Sequence, residues 1–415
     1  MTGGLQTDDL AGARGTRTAG GLARYVAAAT LARTADGGGV VAIVLLVTTA
    51  GGAGWEAGLL GASITAPHLL GPFVARRLDT ARDGRTVIAV ACMVHGATLA
   101  AAVLLFPWVW TGVTALLLVA SGLVGPLLTG GISSRLPAIA GPDLVRQRRA
   151  QGWDVATYGL GGTIGPSIVA AVSVWISPTT AALVLAVMTF AAAALVRILP
   201  TSPPAGAGDV PRPLRTLGIM LSSGPLRRTL YLTVTVALAV AALPVTAVVV
   251  APSLGAPAAT AGALTAAYGL GGLVASVGVM VRPSRADADP LMSRLALCVA
   301  LALAGVALAA SIGWMIAAYA VAGMLNSFFF AATLAARSEY SPLEARAQVF
   351  VWVGALKITA GSAGVAASGA LVEGAIRMPV WLGVGLVLAA VLASTFDRLG
   401  AGQRADAGLG SDPGR

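Results

Sequence analysis

Six ionisable side chains fall in stretches whose neighbours are almost all apolar: Arg33 and Asp36 in LARTADGGGVVAIVLLV, His68 in SITAPHLL, His95 in ACMVHGATLAA, Asp154 in GWDVATYGLGG, and Lys357 in VWVGALKITAG. Arg33 and Asp36 are three residues apart, so on a helix they share a face and can pair. A carboxylate held away from water exchanges a proton according to the balance between burial and nearby cations. Asp36, with Arg33 beside it and Lys357 at a comparable depth, is therefore a candidate proton carrier; a static Arg33–Asp36 pair fixing helix packing is the alternative. Histidine titrates in the physiological range, and His68 with His95 could form a relay or simply two hydrogen-bonded packing residues.

The elements that carry these groups follow from composition. The chain has 415 residues, 57% hydrophobic and 11% charged, with a mean hydropathy of +0.84. A soluble domain carries about 25% charged residues, so the chain lacks the side chains needed to face water. The deficit runs along the whole length, which excludes a set of soluble domains and predicts an all-α integral membrane protein. The formal charge of +10 is then a topology signal rather than a nucleic-acid footprint. Cys92 and Cys298 both lie in apolar runs and read as packing residues. Residues 1–20 are polar and glycine-rich, and the first apolar run is longer than the core of a cleavable signal.

A spanning helix needs about 20 mostly apolar residues. That ruler predicts twelve spans: 25–48, 55–77, 86–106, 109–131, 152–175, 179–199, 229–251, 258–281, 292–312, 314–335, 348–372 and 379–396. Of the 27 Lys and Arg, 24 fall in the termini, the even-numbered loops and their helix ends; Arg33 and Lys357 lie inside helices and Arg377 in the last odd-numbered loop. Such a split places both termini in the cytoplasm of a plasma-membrane protein. Residues 200–228 begin with PTSPPAGAGDVPRPLR and end with LGIMLSSGPLRR, which fits a short interfacial helix. They separate a six-helix bundle at 25–199 from a second at 229–396, flanked by tails at 1–24 and 397–415. Two six-helix halves joined by a cytoplasmic connection suit a transporter that handles its substrate where the halves meet. With a rise of 1.5 Å per residue, Asp36 lies about 17 Å and Lys357 about 14 Å into their helices. This invites one cavity in which the two exchange partners. Asp154, near the start of its span, is a second coupling candidate or an anchor of the cytoplasmic end. Glu56 and Glu373 lie at outer helix ends, and Trp108, Trp110, Trp175, Trp314 and Trp381 read as an interfacial belt.

This layout resembles the major facilitator superfamily, and two local segments support the resemblance. After the second span the chain reads GPFVARRLDTARDGR, residues 71–85. Gly71, Arg76, Gly84 and Arg85 match the family's signature loop; Ala75 occupies its usual Asp position, with Asp79 one helical turn on. The resemblance implies a gating loop, although the same residues also fit a solvated basic loop serving topology alone. In the fifth span, GGTIGPSIVA resembles the signature of exporters that exchange substrate for protons. Gly161, Gly165 and Pro166 match, and Val169 and Ala170 replace the final glycine pair. Small residues four apart let membrane helices approach closely, which predicts a bent contact between halves; ordinary small-residue packing is the alternative. The segments 149–154 and 337–350 also resemble the family's cytoplasmic ends of the fifth and eleventh helices.

Bacterial drug and metabolite exporters of this type imply proton-coupled efflux of a small amphipathic compound by alternating access. Such exporters often carry an Arg within the fourth helix; here Arg135 comes only at its end, and Arg33 could take its part. A symporter or importer of a small polar solute, or a non-transporting scaffold, are the alternatives. The first would want more polar residues than Asn326 supplies; the second would want a soluble output domain. No phosphate loop, metal-ligand spacing or catalytic constellation is present, so neither an enzyme nor a cofactor is expected. The expected partners are a small-molecule substrate, protons and the bilayer, with no nucleic acid, and the expected state is a monomer.

Overall fold

The computed structural model describes residues 5–201, 210–257, 260–372 and 374–409, with side chains placed between residues 20 and 400. Among the described residues, twelve helices are long and apolar enough to cross a membrane. They run Gly20–Thr49, Gly54–Thr80, Gly84–Leu105, Thr111–Ala140, Leu144–Trp175, Pro178–Arg197, Gly224–Ser253, Thr260–Val281, Ala288–Leu308, Ile312–Tyr340, Leu343–Val372 and Met378–Gly400. The chain is a multi-pass membrane protein. Several spans start at a side-chain cap. Asp83 accepts from Arg85 N (3.0 Å), Asp143 from Arg146 N (2.8 Å) and Ser177 from Thr180 N (3.0 Å).

Of the boundaries that differ from expectation, three show one reason clearly. Apolar length measures only the part of a helix that lipid covers, and a helix does not stop where water begins. The fifth span starts at Leu144, so its basic LVRQRR turns are helical and Asp154 lies ten residues in. The fourth continues past Pro126 through a π-helical turn at Leu127–Gly131 to Ala140. The seventh begins at Gly224, after a short helix at Pro213–Ser222.

The residues divide into two compact units: Met1–Pro213 with Val279–Arg285 and Pro342–Ala355, and Leu214–Gly278 with Ala286–Ser341 and Leu356–Arg415. In the first unit, the first span packs on the fifth and sixth, and the third on the fourth and sixth. Buried apolar clusters form around Tyr25, Ile88 and Leu127, and around Ile43, Leu60, Leu99 and Leu185. The second span is broken into a helix, a 3-10 turn at Ala66–Leu70 and a second helix from Gly71, with Pro67 and Pro72 at the junctions. In the second unit, the ninth span packs on the tenth and twelfth and the seventh on the twelfth, around Leu232, Met292, Val299, Leu303 and Tyr319. The helix of the seventh span is interrupted at Ala241, three residues before Pro244. Proline lacks the N–H that would continue the ladder.

Gly161 and Gly165 allow a close approach, but their partner is the first span of the same unit, which corrects the expectation of a contact between halves. A Cβ at Gly161 would lie 2.7 Å from the Arg33 Cβ, and one at Gly165 would run into the Thr34 carbonyl and Gly38. Pro166 follows within an uninterrupted Leu144–Trp175 helix. The motif therefore holds the two helices that carry Arg33 and Asp154 at backbone distance. Gly165→Val is expected to destabilise the protein by about 1–3 kcal/mol through overpacking, read as a lower thermal unfolding midpoint in detergent. Gly162→Ala faces open space and is expected to leave that midpoint unchanged or raised.

Candidate functional site

Arg33 is buried, and its partner is Asp154 rather than Asp36. The Nη1 donates to Asp154 Oδ1 at 2.7 Å with both side chains at most 2% exposed. The same nitrogen donates to the Asp154 carbonyl (3.0 Å) and to Thr157 Oγ1. Nη2 donates to Ser133 Oγ (2.8 Å) and to the Thr129 carbonyl in the π-helical turn (3.3 Å). Tyr25 Oη (2.5 Å) and Ser133 Oγ (2.9 Å) donate to the Asp154 carboxylate, and the guanidinium lies 3.5 Å from the Tyr158 ring centroid. The expected Arg33–Asp36 pair is thus replaced because the close first–fifth helix contact offers Arg33 a carboxylate with better geometry. Asp154, ten residues into the Leu144–Trp175 helix, is the centre of this network.

Asp36 instead faces His68, with Oδ1 3.4 Å from Nε2. His68 Nδ1 lies 2.9 Å from the Ile64 carbonyl, which can only accept, so Nδ1 carries a proton. Nε2 then carries a second proton only in the imidazolium, and a neutral ring turns its lone pair toward the carboxylate. One proton, on either group, makes this pair attractive; without it two lone-pair atoms oppose each other. Gly125 makes room for the arrangement, since a Cβ there would lie 2.6 Å from His68 Nε2 and 3.0 Å from Asp36 Oδ1. His95 takes a different partner, with Nδ1 3.0 Å from Ser121 Oγ and 3.2 Å from its carbonyl. The two imidazoles share no hydrogen bond here.

Around the loop after the second span, Asp79 accepts from the Ala347 and Gln348 backbone N–H groups at 2.9 and 3.0 Å. It caps the helix that begins at Arg346, where the backbone dipole favours a negative charge. Arg76 donates to the Val210 carbonyl (3.1 Å), and Gln348 Nε2 to that of Pro211 (3.1 Å). Arg85 grips Asp83 at 2.9 Å and reaches the Leu199 carbonyl at 2.9 Å, while Arg197 also pairs with Asp83. The Arg85 hydrogen bond holds the Asp83 carboxyl well below the usual carboxylate range. A Cβ at Gly84 would occupy the place of the Arg135 guanidinium, and one at Gly71 would strike Pro126.

Lys357 lies in the second unit, where it lines a cavity of about 330 Å³ with Tyr268, Tyr319, Asn326 and Phe330. Its Nζ sits 3.6 Å from the Phe330 ring centroid. Asn326 Nδ2 donates to Tyr268 Oη (2.7 Å) and Tyr319 Oη to the Leu243 carbonyl (2.8 Å). At the outer ends Glu56 accepts from Thr111 Oγ1 (2.6 Å), whereas Glu373 lies outside the described residues. The five belt tryptophans are 44–86% exposed.

Tyr25, Ser133, Thr157, Tyr268 and Phe330 had no sequence signal, because hydroxyls and rings on separate helices meet at no fixed spacing. His68 had one: it stands between two prolines that set its 3-10 turn. The Arg33–Asp154 network yields a stability prediction. Asp154→Leu alone leaves a buried cation without its carboxylate and is expected to cost about 3–5 kcal/mol. Arg33→Met combined with Asp154→Leu removes both charges and is expected to recover most of that loss in thermal unfolding.

No protein-family model matches the sequence, and no curated protein matches it either. Solved structures do match in fold. FucP, a major facilitator superfamily transporter in the outward conformation, aligns with a TM-score of 0.72 at 12% identity, over 91% of this chain and 98% of that one. A bacterial homologue of the iron transporter ferroportin, outward-facing, aligns with a TM-score of 0.72 at 14% identity, over 91% and 99%. The human organic anion transporter MFSD10 aligns with a TM-score of 0.71 at 14% identity, over 90% and 99%. Twelve membrane helices among the described residues, arranged as in these proteins, give the chain the fold of major facilitator superfamily transporters.

Proposed function

We propose that the protein is a secondary active transporter of the plasma membrane, with cytoplasmic termini, that exports a small amphipathic compound by alternating access in exchange for protons. The observation that carries this reading is the Asp36–His68 pair, 3.4 Å apart, with side chains 15% and 4% exposed. An ionised side chain in a membrane interior costs several kcal/mol unless it is paired or serves a pathway. Arg33 and Asp154 cancel each other, and so need no proton. Asp36 and His68 cancel only when they hold one between them. Loss of that proton leaves a net negative charge facing a lone pair, which favours a conformation in which water or a cation reaches Asp36.

The Asp79 cap on the helix starting at Arg346 is the second working part. Two charge-assisted hydrogen bonds hold that helix start in one conformation and can be broken together in another, as a gate requires. The likeness in fold to the Escherichia coli fucose:proton symporter, with a TM-score of 0.68 at 14% identity over 91% of this chain and 98% of that one, is consistent with proton coupling. It leaves the direction of transport to experiment. Efflux is favoured by a cavity whose wall is mainly apolar and aromatic.

Asp36→Asn keeps size and polarity but cannot release a proton. It is expected to lower gradient-driven transport in proteoliposomes at least about tenfold, while counterflow exchange of substrate without a gradient persists. Undiminished gradient-driven transport by this variant would remove Asp36 as the carrier. Direction is read from cellular accumulation of a panel of amphipathic compounds with and without the protein, repeated with the proton gradient collapsed. Accumulation that rises with the protein would turn the reading to symport.

Asp79→Ala strips the cap and leaves two N–H groups without their acceptor, at a cost of about 1–3 kcal/mol. Faster hydrogen exchange at Ala347 and Gln348 is the expected sign, with altered transport alongside.

A further inference from the structure

The cavity of the second unit has a definite chemical character. Its wall is built from Val236, Val240, Leu243, Phe329 and other apolar side chains, with polar atoms confined to a few places. Lys357 is the one basic side chain among the described residues lining the cavity, and none of them is acidic. Tyr268 Oη and Asn326 add neutral polar groups to the same wall.

Three features make this a built site rather than a packing gap. Its volume of about 330 Å³ lies at the lower end of the usual ligand-pocket range of roughly 300–1,000 Å³. Its lining draws on both sides of the interruption of the seventh span at Ala241, with Val240, Leu243 and Pro244 in the wall. The ammonium of Lys357 is held over the Phe330 face at 3.6 Å. That contact attracts a cation through the ring quadrupole while leaving its charge in place. Whatever further neighbours Lys357 has, its ammonium borders the cavity, and a bound ion must share a low-dielectric space with it.

We propose that this cavity binds the transported compound, and that the compound is an organic anion: an aromatic or otherwise flat apolar body carrying one carboxylate or sulfonate, seated with the anionic end on Lys357 and the body against the apolar wall. Tyr268 Oη and Asn326 supply neutral polar contacts beside it. An organic cation of the same shape is disfavoured, since the lining offers it a lysine and no carboxylate. The inference rests on the transporter reading above and narrows its substrate class.

The test uses the full chain in lipid nanodiscs and isothermal titration calorimetry, with empty nanodiscs subtracted. The probes share one ring system: 2-naphthoate, neutral 2-naphthamide and 2-naphthylmethylammonium. Wild type is expected to bind the carboxylate at least about tenfold more tightly than the ammonium compound, with the amide between. Lys357→Met is expected to weaken naphthoate about tenfold, leaving naphthamide within about twofold. Lys357→Arg, which keeps the charge, is expected to retain the preference and guards against a Met variant that fails to fold. Equal or tighter binding of the ammonium compound would overturn the proposal, as would a preference that survives Lys357→Met, or no binding of any probe to wild type. These readouts need no proton gradient. Loss of anion preference with intact proton-driven efflux would therefore sink the substrate class alone, and Lys357-dependent binding without gradient-driven transport would sink the coupling alone.

Discussion

A hydrocarbon slab offers no water to an ionised side chain, and the placement of almost every polar group in this protein answers that constraint. Arg33 meets it by gathering the Asp154 carboxylate, two hydroxyls and two carbonyls at a point where two helices nearly touch. Close contact between helices is itself a consequence of glycine, because Gly161 and Gly165 of the fifth span meet Gly37 and Gly38 of the first at backbone distance. Small residues at this crossing bring Asp154 within reach of Arg33.

The same constraint separates groups that hold structure from groups free to work. Arg33 and Asp154 carry opposite charges and share a network of hydrogen bonds with Tyr25, Ser133 and Thr157, so they behave as a fastener. Asp36 and His68 share a single contact, and His68 has its other nitrogen committed to the Ile64 carbonyl. Their balance depends on one proton. In the second unit the corresponding economy is different: a lysine rests on an aromatic face, and a cavity borders it. A carboxylate–imidazole pair thus lies in one unit and a lysine-bordered cavity in the other.

The helix Arg346–Val372 begins on the Asp79 carboxylate and carries Lys357 eleven residues later, about 16 Å along its axis.

The sequence by itself determined the number and approximate length of the spans and the all-helical class. Both depend on a local quantity, the run of apolar residues. It also marked Arg33, Asp36, His68, His95, Asp154 and Lys357 as residues that lipid makes conspicuous, and Asp79 through the loop after the second span. Tertiary structure decided their partners. Arg33 and Asp36 share a helix face, yet the rotation of the first span turns one toward Asp154 and the other toward His68. Asp79 found backbone N–H groups 268 residues away, and the fifth-helix glycines found the first helix. Pairing across helices depends on axial rotation and depth, which a periodic pattern leaves undetermined until the helices pack.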